Sequence, residues 1–161
     1  MSPTREFFDP TSKCFEDFTL GDRMITRGRT IDVGDITNFA GLTGDFYPLH
    51  IDDEFARAHR FGARIAHGPL TFAIAVGLVG LSGFYGDAIT ALVEIQELRA
   101  RKPVFAGDTI RVSATVVDLT SGKNPKYGEI AVNYSVLNQR KEEVMSFRQI
   151  MLARSKSIGE K

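Results

Sequence analysis

The first part of the chain switches between strand-like and helical spacing of its apolar residues. Residues 22–31 alternate apolar and polar side chains, which predicts a strand. Residues 33–40 then carry apolar side chains at helical spacing. They predict a helix with Asp32 as its N-cap and with Gly41 or Gly44 at its end.

The middle of the chain predicts a loop, a short helix and one long apolar helix. Residues 42–52 are expected to form an irregular loop, and the acidic residues that follow favour the positive start of a short helix reaching His59. Residues 69–81 are apolar or small at nearly every position, so this helix is expected to be buried with no face left for water. Gly77 and Gly80 each cost a helix about 1 kcal/mol relative to alanine, which predicts close approach of another backbone.

After Gly86 the pattern is that of strands to the end of the chain. Antiparallel strands that alternate apolar and polar residues need one face covered, and the helix at 69–81 is the only all-apolar element able to cover it. The pattern therefore predicts an α+β fold in which an antiparallel sheet wraps around one central helix. The predicted strands are residues 88–94, 95–102, 109–119, 130–137 and 144–152, the last two joined by a hairpin at 138–143.

Nothing in the sequence divides the chain into parts. Its 161 residues contain no repeat and no Pro/Gly/Ser-rich linker, which predicts one domain over residues 1–161. The core is expected at about 15–153, and the polar tail at 154–161 is expected to fray. Residues 65–84 are about as long as a bilayer span but include His67 and Pro69, which favours a buried helix over a membrane helix.

Charge and cysteine content narrow the partners and the compartment. Twenty basic residues balance twenty acidic ones, so neither nucleic acid nor an anionic membrane is an expected partner. Residues 1–6 carry charges of both signs and lead to no apolar stretch, so no secretion signal is predicted. Cys14 is the only cysteine and cannot form an internal disulfide, which favours a reducing compartment such as the cytoplasm. We expect it to be a partly buried small residue.

The loop at 44–50 carries a carboxylate, Asp45, and an imidazole, His50. Gly44 and Pro48 favour a bent backbone that can bring the two side chains together around one water. The carboxylate could then accept a proton from this water while the imidazole relays another. The alternative is that the two side chains are a helix cap and a satisfied polar group.

The segment at 65–70 places Gly68 at the head of the long apolar helix, next to Pro69. Proline is well tolerated in a first helical turn. The free N–H groups at a helix N-terminus can stabilise a developing oxyanion. The alternative is an ordinary helix start.

Together the two segments resemble a known signature. GDFYPLH at residues 44–50, followed by IAHGPL at 65–70, resembles the signature of the MaoC-like family of (R)-specific enoyl-CoA hydratases, which has a hot-dog fold. FEDFTLGD at 15–22 and PVFAGDTI at 103–110 are similar to flanking parts of that family, so the resemblance extends from about residue 15 to residue 153.

The resemblance implies a reaction and its catalytic groups. Asp45 and His50 match the pair that activates the water added across a trans-2-enoyl thioester, and Gly68 matches the residue whose N–H polarises the thioester carbonyl. The implied product is an (R)-3-hydroxyacyl-CoA. The implied partners are an acyl-CoA substrate and a second copy of the chain, as a homodimer or a larger oligomer. No cofactor is expected, since coenzyme A is part of the substrate.

The resemblance also suggests substrate-binding residues. Tyr47 stands where the family usually has asparagine, and we hypothesise that it lines the acyl pocket and alters the preferred acyl group. Leu70 and His67 belong to the second motif, and His67 is expected to orient the loop rather than to transfer a proton. Arg101, with Arg99 and Lys102, forms a basic cluster that is either a solvated strand face or a contact for the phosphates of coenzyme A.

A metal site and two other functions are the alternatives to this hypothesis. The histidine and aspartate spacings match none of the usual zinc patterns, so no metal is expected. A thioesterase on the same scaffold would direct water to the carbonyl carbon instead of the β-carbon. A non-catalytic thioester-binding module would keep the pocket without the reaction.

Overall fold

The structure is a computed structural model that describes residues 9–156. After a short 3-10 helix at Phe15–Asp17, the helices are α1 (Val33–Thr43), α2 (Pro48–Ile51), α3 (Asp53–Ala58) and α4 (Gly68–Gly80). The strands are β1 (Arg23–Ile25), β2 (Arg29–Thr30), β3 (Ile89–Ala100), β4 (Thr109–Ser121), β5 (Tyr127–Leu137) and β6 (Glu143–Arg154).

The strands form one antiparallel sheet with the order β1-β4-β5-β6-β3, and β2 also pairs with β4. The alternation predicted for residues 109–119 is confirmed, because Ile110, Val112, Ala114 and Val116 are all buried. On the same inner face Tyr134 of β5 lies opposite Phe147 of β6, and their rings stack with centroids 4.4 Å apart.

Helix α4 packs against the inner face of this sheet, as the pattern predicted. Its buried residues Leu70, Ile74 and Val79 join the core formed by the sheet. The expectation that no face would meet water is wrong, since the opposite face, which includes Ala73, Gly77, Gly80 and Leu81, is exposed. No other part of the described chain approaches within 4 Å of a Cβ built at either glycine, so the predicted backbone contact is not made within the chain.

Three expected boundaries in the sequence need correction. Residues 22–31 form two short strands, because the Oγ1 of Thr26 accepts the N–H of Val112 and interrupts the regular pairing. Residues 42–52 are not wholly irregular, since they contain the end of α1 and all of α2. The range 88–102 contains one strand, β3 (Ile89–Ala100), instead of two. Bulges at Leu92–Glu94 and Gln96–Arg99 bend β3 without ending its pairing with β6.

The C-terminal end of the described chain is held in place by two ion pairs. Strand β6 continues to Arg154, whose guanidinium lies 2.6 Å from the carboxylate of Asp87, and the ammonium of Lys156 lies 2.8 Å from Asp17. The prediction that the tail frays from residue 154 is therefore wrong for residues 154–156. Residues 157–161, and the charged residues 1–6, lie outside the described part. Cys14 is half-buried, as expected. Over residues 9–156, every helix is too short or too polar to cross a membrane.

Candidate active site

Two backbone turns position the carboxylate and the imidazole of the first motif. Gly44 ends α1 with a φ of 77°, a left-handed conformation that favours glycine, and the chain then turns through Asp45. Pro48 starts α2, a single turn that carries His50. His50 therefore lies on a helical turn and not in the irregular loop that the sequence predicted.

The two motif segments are tied to each other by reciprocal hydrogen bonds from two histidines. The Nδ1 of His50 lies 2.7 Å from the carbonyl oxygen of Ile65, and the Nε2 of His67 lies 2.9 Å from the carbonyl oxygen of Asp45. A carbonyl oxygen can only accept, so each of these nitrogens must carry a proton. The bond from His50 leaves its Nε2 as the free nitrogen of a neutral ring.

The side chain of His67 is buried among its neighbours. Its side chain is only 1% exposed, and its ring stacks on that of His50 with centroids 3.8 Å apart. The ring of Phe39 packs at 5.1 Å, and the Nδ1 of His67 is buried without a hydrogen-bond partner among residues 9–156. Its one hydrogen-bonded nitrogen is committed to the main chain of Asp45. The orienting role expected from the sequence stays a prediction.

The structure brings the Asp45 carboxylate and the His50 imidazole close together. One carboxylate oxygen of Asp45 and one ring nitrogen from each of His50 and His67 all lie within 4.8 Å of one another. A water molecule can bridge two groups about 5 Å apart with hydrogen bonds of ordinary length. The Asp45 side chain is half-exposed, and its Oδ1 also accepts the N–H of Tyr47. A carboxylate oxygen and an imidazole nitrogen at this separation can therefore hold one water between them.

The same three side chains make a poor metal site. A metal ligand needs an unprotonated nitrogen, whereas the Nε2 of His67 donates its proton to Asp45 and its Nδ1 is buried beside Phe39. Because the one unengaged nitrogen of His67 is buried, only Asp45 and His50 of the three offer accessible ligand atoms, and two protein ligands are fewer than zinc sites normally use.

Gly68 lies beside a cavity of about 250 Å³, here named the Gly68 cavity. It is the first residue of α4, and no described residue accepts a hydrogen bond from its N–H. Pro69, which follows, has no N–H, so the Gly68 amide is the one at the very tip of the helix. The cavity is also lined by residues from the α3–α4 connection and from the segment that follows β3, including Arg101 and Lys102.

A second, mostly apolar cavity of about 540 Å³ lies between α1 and α4, here named the α1/α4 groove. Leu70 lines it and is 6% exposed, and Phe39 connects the groove to the ring of His67. The ring of Tyr47 is more than half exposed and stands edge-on to those of His50 and Phe55, with centroids 6.4 and 6.1 Å away. Its predicted contact with the acyl group stays a prediction.

Sequence reasoning missed several contributors to the site. Arg60 and Phe61 line the Gly68 cavity opposite the segment after β3, and the carbonyl of Ile65 orients His50. The carbonyl could have been suspected because it lies within the second motif. Nothing in the local sequence around Arg60 marks it, since its position beside the cavity depends on how the α3–α4 connection folds back.

Comparisons with known proteins identify the family to which the chain belongs. The family model for the MaoC like domain matches residues 17–138. The chain belongs to this family. An (R)-specific enoyl-CoA hydratase from Rhodospirillum rubrum is 34% identical over 109 residues, covering 68% of this chain and 73% of that protein. Protein MaoC from Klebsiella aerogenes is 38% identical over 106 residues, covering 66% of this chain. The match spans only 31% of the length of that relative.

Two solved structures share the architecture of this chain. A structure described as a monoamine oxidase regulatory protein from Archaeoglobus is 35% identical, with a TM-score of 0.87 over 93% of this chain and 100% of that one. A Mycobacterium tuberculosis protein described as a double hot-dog fold has a TM-score of 0.81 at 19% identity, covering 92% of this chain and 46% of that one. This second likeness concerns the fold alone. The predicted hot-dog fold is confirmed.

Proposed function

We propose that this MaoC-like protein interconverts a trans-2-enoyl-CoA and an (R)-3-hydroxyacyl-CoA. The observation that carries the proposal is the convergence of Asp45 and His50, with ligand atoms within 4.8 Å of each other, in a first motif segment that two histidine hydrogen bonds tie to the segment containing Gly68. The relationship to a protein named (R)-specific enoyl-CoA hydratase supports it.

In this proposal Asp45 and His50 hold the water that adds to the substrate. As the water oxygen bonds to the β-carbon, one water proton passes to the pair, and the pair returns one proton to the α-carbon. The His50 Nε2 can accept a proton because its Nδ1 is already protonated and bonded to Ile65. Negative charge that develops on the thioester oxygen would be stabilised by the N–H of Gly68 and by the positive end of α4.

The two cavities suggest how the rest of the substrate is held. The apolar α1/α4 groove suits an acyl chain, and its wall at Leu70 belongs to the second motif. The Gly68 cavity, with basic residues beside it, suits the carrier arm of coenzyme A. Coenzyme A enters as part of the substrate, and no further cofactor takes part in these steps. A cytoplasmic location remains our prediction, because the lone Cys14 suits a reducing compartment.

We also propose that the chain forms a homodimer. Among residues 9–156, strand β3 pairs only with β6, which leaves its other edge uncovered by the described chain. Leu92, Val93 and Leu98 on this strand are each about half exposed. Exposed apolar edge strands are normally covered. Sedimentation equilibrium should give twice the chain mass. Leu92→Glu should shift the protein toward monomer, and Leu20→Glu, at a similarly exposed leucine far along the chain, should not. A monomeric wild-type protein would refute the proposal.

The reaction is tested by following the absorbance of a panel of enoyl-CoA substrates, with product analysis. Asp45→Asn keeps an oxygen to accept the Tyr47 N–H but removes the carboxylate charge, and should lower kcat/KM by about 10²–10⁴. His50→Gln should do the same. Asp118→Asn, a matched change on the exposed part of β4, should leave the rate unaltered.

The alternatives give different products in the same assay. Free coenzyme A released by the wild-type protein would indicate a thioesterase. Saturable binding of the thioester with neither hydration nor hydrolysis would indicate a non-catalytic binding module. Full activity in Asp45→Asn would exclude the Asp45 carboxylate from the mechanism.

A further inference from the structure

Three basic side chains surround the Gly68 cavity from two sides. Arg60 lies on the α3–α4 connection, whereas Arg101 and Lys102 follow β3. Arg60 is exposed, and the side chains of Arg101 and Lys102 are about half exposed, so all three charged groups lie at the rim rather than inside. The floor between them includes Gly68 and Thr71.

Two of the three cations are already neutralised by acidic neighbours. The Nε of Arg101 lies 2.6 Å from the Glu143 carboxylate, and the Nζ of Lys102 lies 2.6 Å from the Glu142 carboxylate. Arg101 also donates to the hydroxyl of Ser146. A ligand that recruited either cation would have to compete with a carboxylate at hydrogen-bond distance. This weakens the assignment of Arg101 as the main phosphate contact.

Arg60 differs because it has no acidic partner within residues 9–156. Its guanidinium lies over the ring of Phe61, with its central carbon 4.7 Å from the ring centroid. A guanidinium held over an aromatic face keeps its N–H groups free at its edge, where they can form paired hydrogen bonds to phosphate oxygens. Phe61 therefore positions an uncompensated cation on the rim of the cavity that contains Gly68.

We propose that Arg60 binds a phosphate of the carrier arm of a phosphopantetheine thioester. The inference rests on the proposed function, in which Gly68 holds the thioester carbonyl. A pantetheine arm joins the thioester to the first phosphate, so an arm running from Gly68 out through the cavity presents its phosphates at the basic rim. Arg60 then contributes to the recognition of the carrier, while Asp45 and His50 act on the acyl group.

The test is calorimetric binding of three probes that differ in phosphate content: coenzyme A, 4′-phosphopantetheine and pantetheine. Arg60→Gln should weaken coenzyme A binding about 5- to 20-fold, the loss expected for a charge-assisted hydrogen bond at a partly solvated site. It should leave pantetheine binding unaltered. Arg60→Lys should recover part of the affinity, and Arg101→Gln should cost less than Arg60→Gln.

Arg57→Gln is the matched control. Arg57 is exposed on α3, only three residues from Arg60, and is paired with Glu54. Arg57→Gln removes the same charge from the same region, but Arg57 does not line the Gly68 cavity, so the change should not weaken the binding of any probe. Equal unfolding midpoints for the variants would show that their folds are intact.

The probes also identify the source of the phosphate. Loss of affinity for 4′-phosphopantetheine as well as coenzyme A places Arg60 on the first phosphate, and loss for coenzyme A alone places it on the nucleotide end. The inference is overturned if Arg60→Gln leaves coenzyme A binding unchanged, weakens pantetheine equally, or matches Arg57→Gln. It is also overturned if the wild type binds neither phosphorylated probe. Because no turnover is measured, these results are independent of whether the protein is a hydratase.

Discussion

Replacing His67 separates a residue that positions the catalytic pair from one that transfers a proton. In the wild type the His67 ring stacks on His50 with centroids 3.8 Å apart, and its Nε2 lies 2.9 Å from the Asp45 carbonyl oxygen. His67→Phe keeps an aromatic ring to stack on His50 but removes the N–H that donates to this carbonyl. His67→Gln makes the opposite change, because its amide keeps a donor near the position of Nε2 and removes the ring.

The expected loss follows from the single hydrogen bond removed. A neutral hydrogen bond contributes about 0.5–1.5 kcal/mol net, which corresponds to a factor of about 2 to 12 at 25 °C. The Asp45 carbonyl is on an exposed residue and can bond to water when His67 is gone, so no larger penalty is expected. His67→Phe should therefore lower kcat/KM about 2- to 12-fold, well short of the 10²–10⁴ expected for Asp45→Asn or His50→Gln.

The assay is enoyl thioester absorbance over a range of pH, with thermal unfolding of each variant as a check on folding. For a positioning residue, the shape of the pH profile should be unchanged in His67→Phe, and His67→Gln should recover part of the rate. The reasoning fails if His67→Phe is as inactive as His50→Gln, or if it removes one limb of the profile. Either result would give His67 a direct part in proton transfer.

Three further predictions concern substrate choice, stability and pH. Tyr47→Asn should change the relative kcat/KM of straight and branched enoyl thioesters, and an unchanged ranking would rule out contact with the acyl group. Tyr85→Phe should cost about 1–3 kcal/mol in denaturant unfolding, because it strips the buried Tyr134 hydroxyl of its partner at 2.7 Å, whereas replacing both tyrosines by phenylalanine should cost less than the single change. Hydrogen bonds from Asn138, Lys102 and Arg140 lower the pKa of Glu142 to about 2. This stabilisation is present above the ordinary pKa of 4.5 and is lost as the pH falls toward 2, so Glu142→Gln should flatten the dependence of unfolding free energy on pH in that window.

Features set by neighbouring residues could be predicted from the sequence. Asp32 caps α1 as expected, with its carboxylate accepting the N–H of Gly34, because an N-cap contact spans only a few residues. The buried alternation of β4 follows from the two-residue period of a strand. Gly44 ends α1 because the left-handed turn there favours glycine.

Features set by distant parts of the chain could not be predicted from the sequence. Strand β3 is one bulged strand because β6 pairs with it along its whole length. No residue in the local sequence marks the positions of the bulges. The apolar pattern of a helix does not show whether each face packs against the same chain or against another molecule. The sequence therefore did not predict that the face of α4 at Gly77 and Gly80 is exposed. Arg60 joins the Gly68 cavity only after α4 and the segment following β3 have packed around it.

The reciprocal histidine bonds explain why the two motifs act as one unit. His50 belongs to the first segment and donates to Ile65 in the second, whereas His67 belongs to the second and donates to Asp45 in the first. Each bond requires a proton on one particular nitrogen, and for His50 this leaves the lone pair on the nitrogen that is not tied to the backbone. Gly68 directly follows His67, so the hydrogen bond that holds Asp45 also links the proposed water-binding pair to the start of α4. A loop carrying only Asp45 and His50 would lack both the tautomer and this link, and the proposed chemistry therefore depends on the second segment as much as on the first.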